Sequence, residues 1–291
     1  MLEQLVQVEE RQEKLRNALV GAAVYPAFLA LLSLAVVLRA GSRWWAEAIP
    51  GDLVNLLMAV GGTVAMGVMG AFAFLYLRSV RNHRALLQRF ATPPGIMFEI
   101  GPGHGTLGEL AVASGWDYTA VEASDILMDV LKKKGLKVIP AWTPPMPMAN
   151  DSASVVYADQ VLEHMRGIDD ARQFTAEARR CLKPGGIFFV VVPDYLKERQ
   201  FFWDVDYTHN FVTTQRRVTQ LFNDGGFEIL HIERSIGLAT GLQRDLLAAA
   251  AVLINLPGVD ALSRYTGTED LVFKIRKNLF ETLTFVARKP A

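Results

Sequence analysis

Two long uncharged stretches dominate the first quarter of the chain, and short apolar runs alternating with helical stripes fill the rest. The segment from Ala18 to Leu38, ALVGAAVYPAFLALLSLAVVL, carries no charge, and neither does Leu53 to Leu77, where Asn55 is the strongest polar residue. About 20 apolar residues at 1.5 Å each match the ~30 Å hydrocarbon core of a bilayer, so both read as membrane-spanning helices. Between them, Trp44 and Trp45 suit a membrane–water interface and Pro50-Gly51 a turn, which makes the pair a hairpin; Pro26 is expected to kink its first arm. The mixed-charge segment Met1 to Asn17 ahead of the first run, and the second run behind it, argue against a cleaved signal peptide. Arg11, Lys14 and Arg16 precede the first span and Arg78, Arg81, Arg84 and Arg89 follow the second, against Arg39 and Arg43 between them. This asymmetry predicts an integral inner (cytoplasmic) membrane protein with both ends in the cytoplasm. Thr63, Gly67 and Ala71 are spaced by four, which lets another helix approach closely in lipid, either the first span or a second copy in a homo-oligomer.

Thr92-Pro93-Pro94-Gly95 reads as a linker, dividing the chain into residues 1–90, a helix with two spans, and a domain over 91–291. Beyond it, IMFEI, Trp116 to Val121, KVIPAW, SVVYADQ, IFFVVVPD, FEILHIERS and ETLTFVARK read as strands. Thr106 to Ser114 and ARQFTAEARRCL carry helical periodicity between them, so strands and helices alternate. Residues 236–270 form an insertion before the last strand, containing LLAAAAVLINLPG. That apolar run is too short to span a bilayer and fits a core helix, an interfacial helix or a lid.

Composition sharpens this picture in three respects. Half of the residues are hydrophobic, at 51%, an excess that the first quarter accounts for. Thirty basic and 30 acidic residues cancel, which excludes a broadly nucleic-acid-binding surface, and no nucleic-acid partner is expected. Cys181 is the single cysteine, so there is no internal disulfide, and its setting in RRCLKPGG predicts a buried helix end.

The candidate chemistry starts at EIGPGHG, Glu99 to Gly105, where a strand runs into a helix through a glycine turn. Glycines there let backbone approach a ligand closely, and the amides of the helix start can bond its polar groups. Gly103-His-Gly105-Thr-Leu-Gly108 also satisfies the GxGxxG of nicotinamide-binding folds, so the loop alone leaves methyl-donor, dinucleotide and purely structural readings open. Glu122, about twenty residues on at the end of the second strand, can accept both hydroxyls of a ribose, which either cofactor carries.

Taken together, EIGPGHG, VEAS, DQVLEH at 159–164, LKPGG at 182–186 and LTFVARKP resemble a class I S-adenosylmethionine-dependent methyltransferase of the small-molecule type, over about Ile96 to Arg288. The resemblance implies an α/β fold: a seven-stranded, doubly wound, Rossmann-like sheet with an antiparallel last strand, here preceded by the transmembrane hairpin. It implies S-adenosylmethionine as cofactor and S-adenosylhomocysteine as product. Glu99 would hold the methionine amino group beside Gly101, Pro102, Gly103, His104 and Gly105; Glu122 and Ala123 would meet the ribose; Ala141 and Trp142 the adenine, with Trp142 either stacked on it or in the core. Asp159 and Gln160 would line the methyl-donor end. In VDYTHNFVT, His209 is the first choice of general base, with Asp206 orienting its ring and His164 as the runner-up. His83 and His231 read as surface or core. No metal is expected, because metal-binding relatives carry an acid where this chain has Gln160, a neutral and weaker ligand.

A membrane hairpin serves best an enzyme whose acceptor is lipidic, so the expected activity is methyl transfer to a hydroxyl or carbon of a lipidic or lipid-linked saccharide acceptor, with the bilayer as partner. The alternatives are a non-catalytic S-adenosylmethionine-binding scaffold of a membrane complex and a nicotinamide-dependent oxidoreductase.

Overall fold

The computed structural model describes residues 83–291 apart from 238 and 257. Both predicted spans, the Met1 to Asn17 helix and the Thr63, Gly67 and Ala71 face lie outside the described residues. Among the described residues no helix is long and apolar enough to cross a membrane.

Seven strands form one sheet in the order β3-β2-β1-β4-β5-β7-β6. They are β1 (Ile96–Ile100), β2 (Asp117–Glu122), β3 (Val138–Pro140), β4 (Ala153–Asp159), β5 (Leu182–Pro193), β6 (Glu228–Ile236) and β7 (Glu281–Arg288). Strands β1 to β5 pair in parallel, whereas β7 runs antiparallel between β5 and β6. Helices α1 (Thr106–Ala113), α2 (Asp125–Lys133) and α3 (Ile168–Cys181) follow β1, β2 and β4. Two short helices, α4 (Tyr195–Glu198) and α5 (Phe201–Asp204), and then α6 (Gln215–Asp224) follow β5. The insertion folds as α7 (Gly241–Ile254), α8 (Val259–Thr266) and α9 (Glu269–Asn278). The predicted strand–helix alternation, the antiparallel last strand and the buried Cys181 at the end of α3 are all present.

Near-continuous apolar strands such as IFFVVV arise because a central parallel strand is covered on both faces. Successive side chains alternate: Phe188 joins Phe174, Phe222, Phe227 and Phe285 on one face, while Phe189 joins Tyr118, Leu131, Tyr157 and Val286 on the other. The second face also receives Leu86 and Leu87, from a helical segment over 83–87 that was expected to be only a basic stretch after the anchor. Gly108 sits where α1 crosses that face, and a Cβ there would lie 2.5 Å from Tyr118 Cζ. Glycine is thus required for helix and sheet to pack at this spacing.

The insertion is tied to the sheet by charge. Asp194, fully buried, caps α4 by accepting from Leu196 N at 3.2 Å and receives Arg234 Nε at 3.1 Å. Glu281 accepts from Arg244 Nη1 on α7 at 3.0 Å, with Arg234 Nε at 3.6 Å, and its own N–H donates to Glu198 Oε1 at 2.6 Å. The ends of β5, β6 and β7 and the start of α7 therefore share one network. Removing a partner from such a buried set strands the remaining charge. We predict that Arg234→Met lowers unfolding stability by about 3 kcal/mol, because Asp194 loses its counter-charge. Urea denaturation followed by tryptophan fluorescence measures this, and a loss below about 1 kcal/mol would show the pair to be dispensable.

Candidate active site

The turn after β1 has the geometry a close-fitting ligand needs. Gly101, Gly103 and Gly105 adopt φ of 62°, 54° and 73°, a left-handed region where a side chain is strained. A Cβ at Gly103 would meet nothing within 4 Å, so the space over the turn is open. Gly105 caps α1 without any side-chain hydrogen bond, which leaves the first-turn amides of that helix available to a polar group. Pro102 is buried beneath the turn and His104 is exposed on it.

At the end of β2, Glu122 is buried, and its Oε1 accepts from the amides of Ala123 and Ser124, both at 2.8 Å. One oxygen is thereby pinned, and the other can serve a diol. Ala141 packs partly buried against the core, with its N–H on Glu122 O at 3.1 Å. Trp142 is 82% exposed, which removes the core reading of its indole. Glycine turn, Glu122 and Ala141 line up at the carboxyl ends of adjacent parallel strands, the place where open α/β sheets bind ligands.

Glu99 is buried in β1, and its Oε2 accepts from the Tyr118 hydroxyl at 2.5 Å. Burial raises its carboxyl to about 8, opposed by the Tyr118 hydrogen bond and reinforced by the charge of Asp159. Asp159, half-buried at the end of β4, is itself pushed up by burial; its Oδ2 lies 3.3 Å from the Tyr157 hydroxyl and 3.7 Å from His83 Nδ1. His83 is also 3.0 Å from the Tyr157 hydroxyl, so it is neither surface nor plain core but part of the wall behind Asp159. Neither Tyr118 nor His83 announces this in the sequence: one is a strand position indistinguishable from core, the other lies outside every motif.

Gln160 follows with φ 56°, a left-handed value that is uncommon for a side-chain-bearing residue, and its Nε2 is buried without a partner. The 3-10 turn Leu162–His164 comes next. The backbone carbonyl of Glu163 accepts from both Asn210 N and Phe211 N at 2.9 Å, which draws the loop after α5 onto the end of β4. His164 and His209, forty-five positions apart in sequence, consequently face edge to face with ring centroids 4.9 Å apart.

The tautomers follow from the partners. His209 is buried, and its Nδ1 lies 2.6 Å from Phe202 O; a carbonyl only accepts, so Nδ1 carries a proton, and in the neutral ring Nε2 keeps a lone pair. Asp206 therefore does not orient His209, contrary to expectation. Its Oδ1 accepts from the N–H and hydroxyl of Thr208 at 2.9 and 2.7 Å. The Thr208 oxygen then accepts from His164 Nδ1 at 2.7 Å, so Asp206 positions His164, the runner-up, which also keeps its Nε2 lone pair. Burial lowers the pKa of His164, and His209 beside it lowers it further, keeping the ring neutral. Both rings can accept a proton or bind a cation.

Glu99 also carries a sign for pH. The folded protein keeps a proton on this carboxyl up to about 8, whereas an unfolded glutamate releases it near 4.5. Protons bound only in the folded state make stability fall as pH rises between those values. We predict this slope in thermal melts without cofactor and its flattening in Glu99→Gln; equal slopes in both proteins would assign it to other groups.

The profile of the methyltransferase domain family matches residues 72–232, more than half of the chain. No curated protein matches. Among solved structures, the chain is similar to phosphoethanolamine N-methyltransferase 2 of Haemonchus contortus, at 17% identity and a TM-score of 0.54 over 72% of this chain and 53% of that one. It is also similar to geranyl diphosphate C-methyltransferase of Streptomyces coelicolor, at 13% and 0.51 over 72% and 78%. A third similarity is to the methyltransferase solved with the Trm112 activator of Haloferax volcanii, at 16% and 0.53 over 74% and 91%. These identities speak for the shared fold, and the profile match for the family. With its 3-2-1-4-5-7-6 sheet and glycine turn, the chain belongs to the methyltransferase domain family, as a class I S-adenosylmethionine-dependent methyltransferase.

Proposed function

We propose that this methyltransferase works at the cytoplasmic face of a membrane and transfers its methyl group to a hydroxyl of a lipidic or lipid-linked saccharide acceptor. The observation that carries the chemical half is the edge-to-face packing of His164 and His209 at the end of β4, each with its Nδ1 on a protein oxygen, which leaves Nε2 for a reacting group. Support for the membrane half comes from the uncharged runs 18–38 and 53–77 and from the insertion. Its helices leave Leu242, Val252, Leu262 and Leu271 more than half exposed, which fits an interfacial helix or lid better than a core helix. A cavity of about 1010 Å³ lies between α7 and the segment over 195–201, lined by apolar residues such as Phe201, Ile236 and Val252 and by charges of both signs, among them Lys197, Arg276, Glu198 and Asp260. That mixture suits an amphiphilic molecule.

In this reading the Gly101–Gly105 turn and the start of α1 cradle the cofactor's amino-acid end, Glu99 faces its ammonium, Glu122 and Ala123 meet its ribose, and Ala141 and Trp142 its adenine. Asp159 and Gln160 border the sulfonium. When bound, S-adenosylmethionine supplies an activated methyl group: its C–S bond breaks, the pair passing to sulfur to give a neutral thioether, as an acceptor lone pair bonds to carbon. The chain has little covalent work to do. It aligns the acceptor oxygen and removes its proton, which passes to His209 Nε2 while Nδ1 stays bonded to Phe202 O. His164, held through Thr208 by Asp206, orients the acceptor from the other side.

Asparagine at 209 keeps an N–H for Phe202 O but has no Nε2. His209→Asn is therefore expected to lower turnover by about 10²- to 10⁴-fold while S-adenosylmethionine binding by calorimetry is unchanged. Loss of cofactor binding in that variant would place His209 in the cofactor site instead. Washed membranes containing the protein, given labelled S-adenosylmethionine, are expected to yield label in the organic extract; label confined to water-soluble products would sink the lipidic acceptor.

A further inference from the structure

Glu163 has no part in the scheme above, yet it is the most constrained acid in the site. Its side chain is fully buried, and neither carboxyl oxygen has a hydrogen-bond partner on another residue. Apart from its own backbone N–H, no donor among the described residues reaches an ionised carboxylate in that position, and a protonated one lacks an acceptor for its O–H, so both states are under-satisfied by the protein alone. Buried acids left this way call for a cation. Among the described residues one arrangement offers to share it: Glu163, His164 and His209 each present a ligand atom, all within 4.8 Å of one another. Deduced from their partners, both imidazoles are protonated on Nδ1 and free on Nε2, the form in which histidine binds metals. The supporting shell is already built, since metal-bound histidines hand their other N–H to a carbonyl or carboxylate. Here His209 gives it to Phe202 O, and His164 gives it to Thr208, which is backed by Asp206.

We propose that Glu163, His164 and His209 form a binding site for one divalent first-row transition ion. Two imidazole nitrogens and one carboxylate favour Zn²⁺, Mn²⁺, Fe²⁺ or Co²⁺ over Mg²⁺, which prefers all-oxygen shells and keeps its waters. Ion–ligand bonds of about 2.0–2.2 Å need ligand atoms no more than about 4 Å apart, so side chains now within 4.8 Å of one another close by up to about 0.8 Å on loading. Gln160 at the head of the segment, read from sequence as a reason to expect no metal, is bypassed: the three donors come from Glu163 onward. Three protein ligands leave positions open toward the methyl-donor end. This rests on the acceptor reading above for the place of the acceptor but replaces His209 as its base: a bound ion would take the acceptor oxygen in those positions and make its proton easier to release, and with both Nε2 lone pairs engaged that proton would pass to water.

The full-length protein, stripped with chelator, is titrated separately with Zn²⁺, Mn²⁺, Co²⁺ and Mg²⁺, with calorimetry, melting temperature and the visible absorption of Co²⁺ as readouts. The expected result is one transition ion per chain, a raised melting temperature, a Co²⁺ band characteristic of low coordination, and Mg²⁺ binding at least tenfold weaker. Glu163→Gln and, separately, His209→Asn should each weaken the transition ion at least tenfold; melts without metal confirm that both variants are folded. No stoichiometric binding, or binding that ignores both substitutions, overturns the site. Activity separates the two readings. Full turnover in chelator, abolished by His209→Asn, ends the metal proposal and leaves the histidine base standing; metal binding without any methyl transfer ends the acceptor reading and leaves the site.

Discussion

Two backbone hydrogen bonds, from Asn210 and Phe211 to the carbonyl of Glu163, hold together the part of the site that carries His164 and His209. Without them the loop after β5 is merely a long connection over the sheet; with them, residues from two separate segments meet at the end of β4. Everything chemical on that side inherits its geometry from this junction. Phe202 reaches His209, Thr208 reaches His164, and the two rings come within contact. Because the anchor is backbone to backbone, it does not depend on which side chains occupy the loop, and the same junction can carry different acceptor chemistries on one scaffold.

The fold was largely legible in the sequence, because burial of a parallel sheet on both faces writes itself as apolar runs of strand length. The seven strands follow from IMFEI, SVVYADQ, IFFVVVPD and their neighbours with shifts of a residue or two, except that β5 starts five residues early, taking in the Pro184-Gly185-Gly186 stretch read as a turn; the antiparallel last strand was implied by the resemblance, and the helices over 125–133 and 215–224 were not singled out. The glycine turn was equally visible, since its φ values demand glycine. What escaped were relations between distant residues. Tyr118 on Glu99, His83 behind Asp159 and the handover from Asp206 through Thr208 to His164 each join positions that no local pattern links. Asp206 was assigned to its nearer neighbour, His209, on proximity in sequence; the chain reversal after α5 gives that ring to a carbonyl instead. Glu163 was passed over because Gln160, at the head of the segment, argued against a metal, and the burial of the glutamate three residues on is not visible in the sequence.

The insertion shows how charge can organise what apolar periodicity leaves open. Its apolar run cannot by itself choose between core, interface and lid, since all three bury some leucine. Arg244 settles where α7 begins by reaching Glu281 at the start of β7, and Arg234 adds Asp194 to the same set. Helix α7 is thereby held at the carboxyl edge of the sheet while its apolar side chains stay partly exposed.

Electrostatics gives the site a preference of its own. Glu99, Asp159 and Glu163 gather at the ends of β1 and β4, and burial raises the pKa of all three. The nearby basic groups are weak partners: His83 is lowered by burial, and His164 is kept neutral by burial and by His209. Desolvated acids without matched cations favour any ligand that brings positive charge, and they favour it most where water is excluded. The cofactor of this family carries an ammonium and a sulfonium, and its product has lost the sulfonium charge. A pocket lined by such acids is in this respect matched to a cationic ligand.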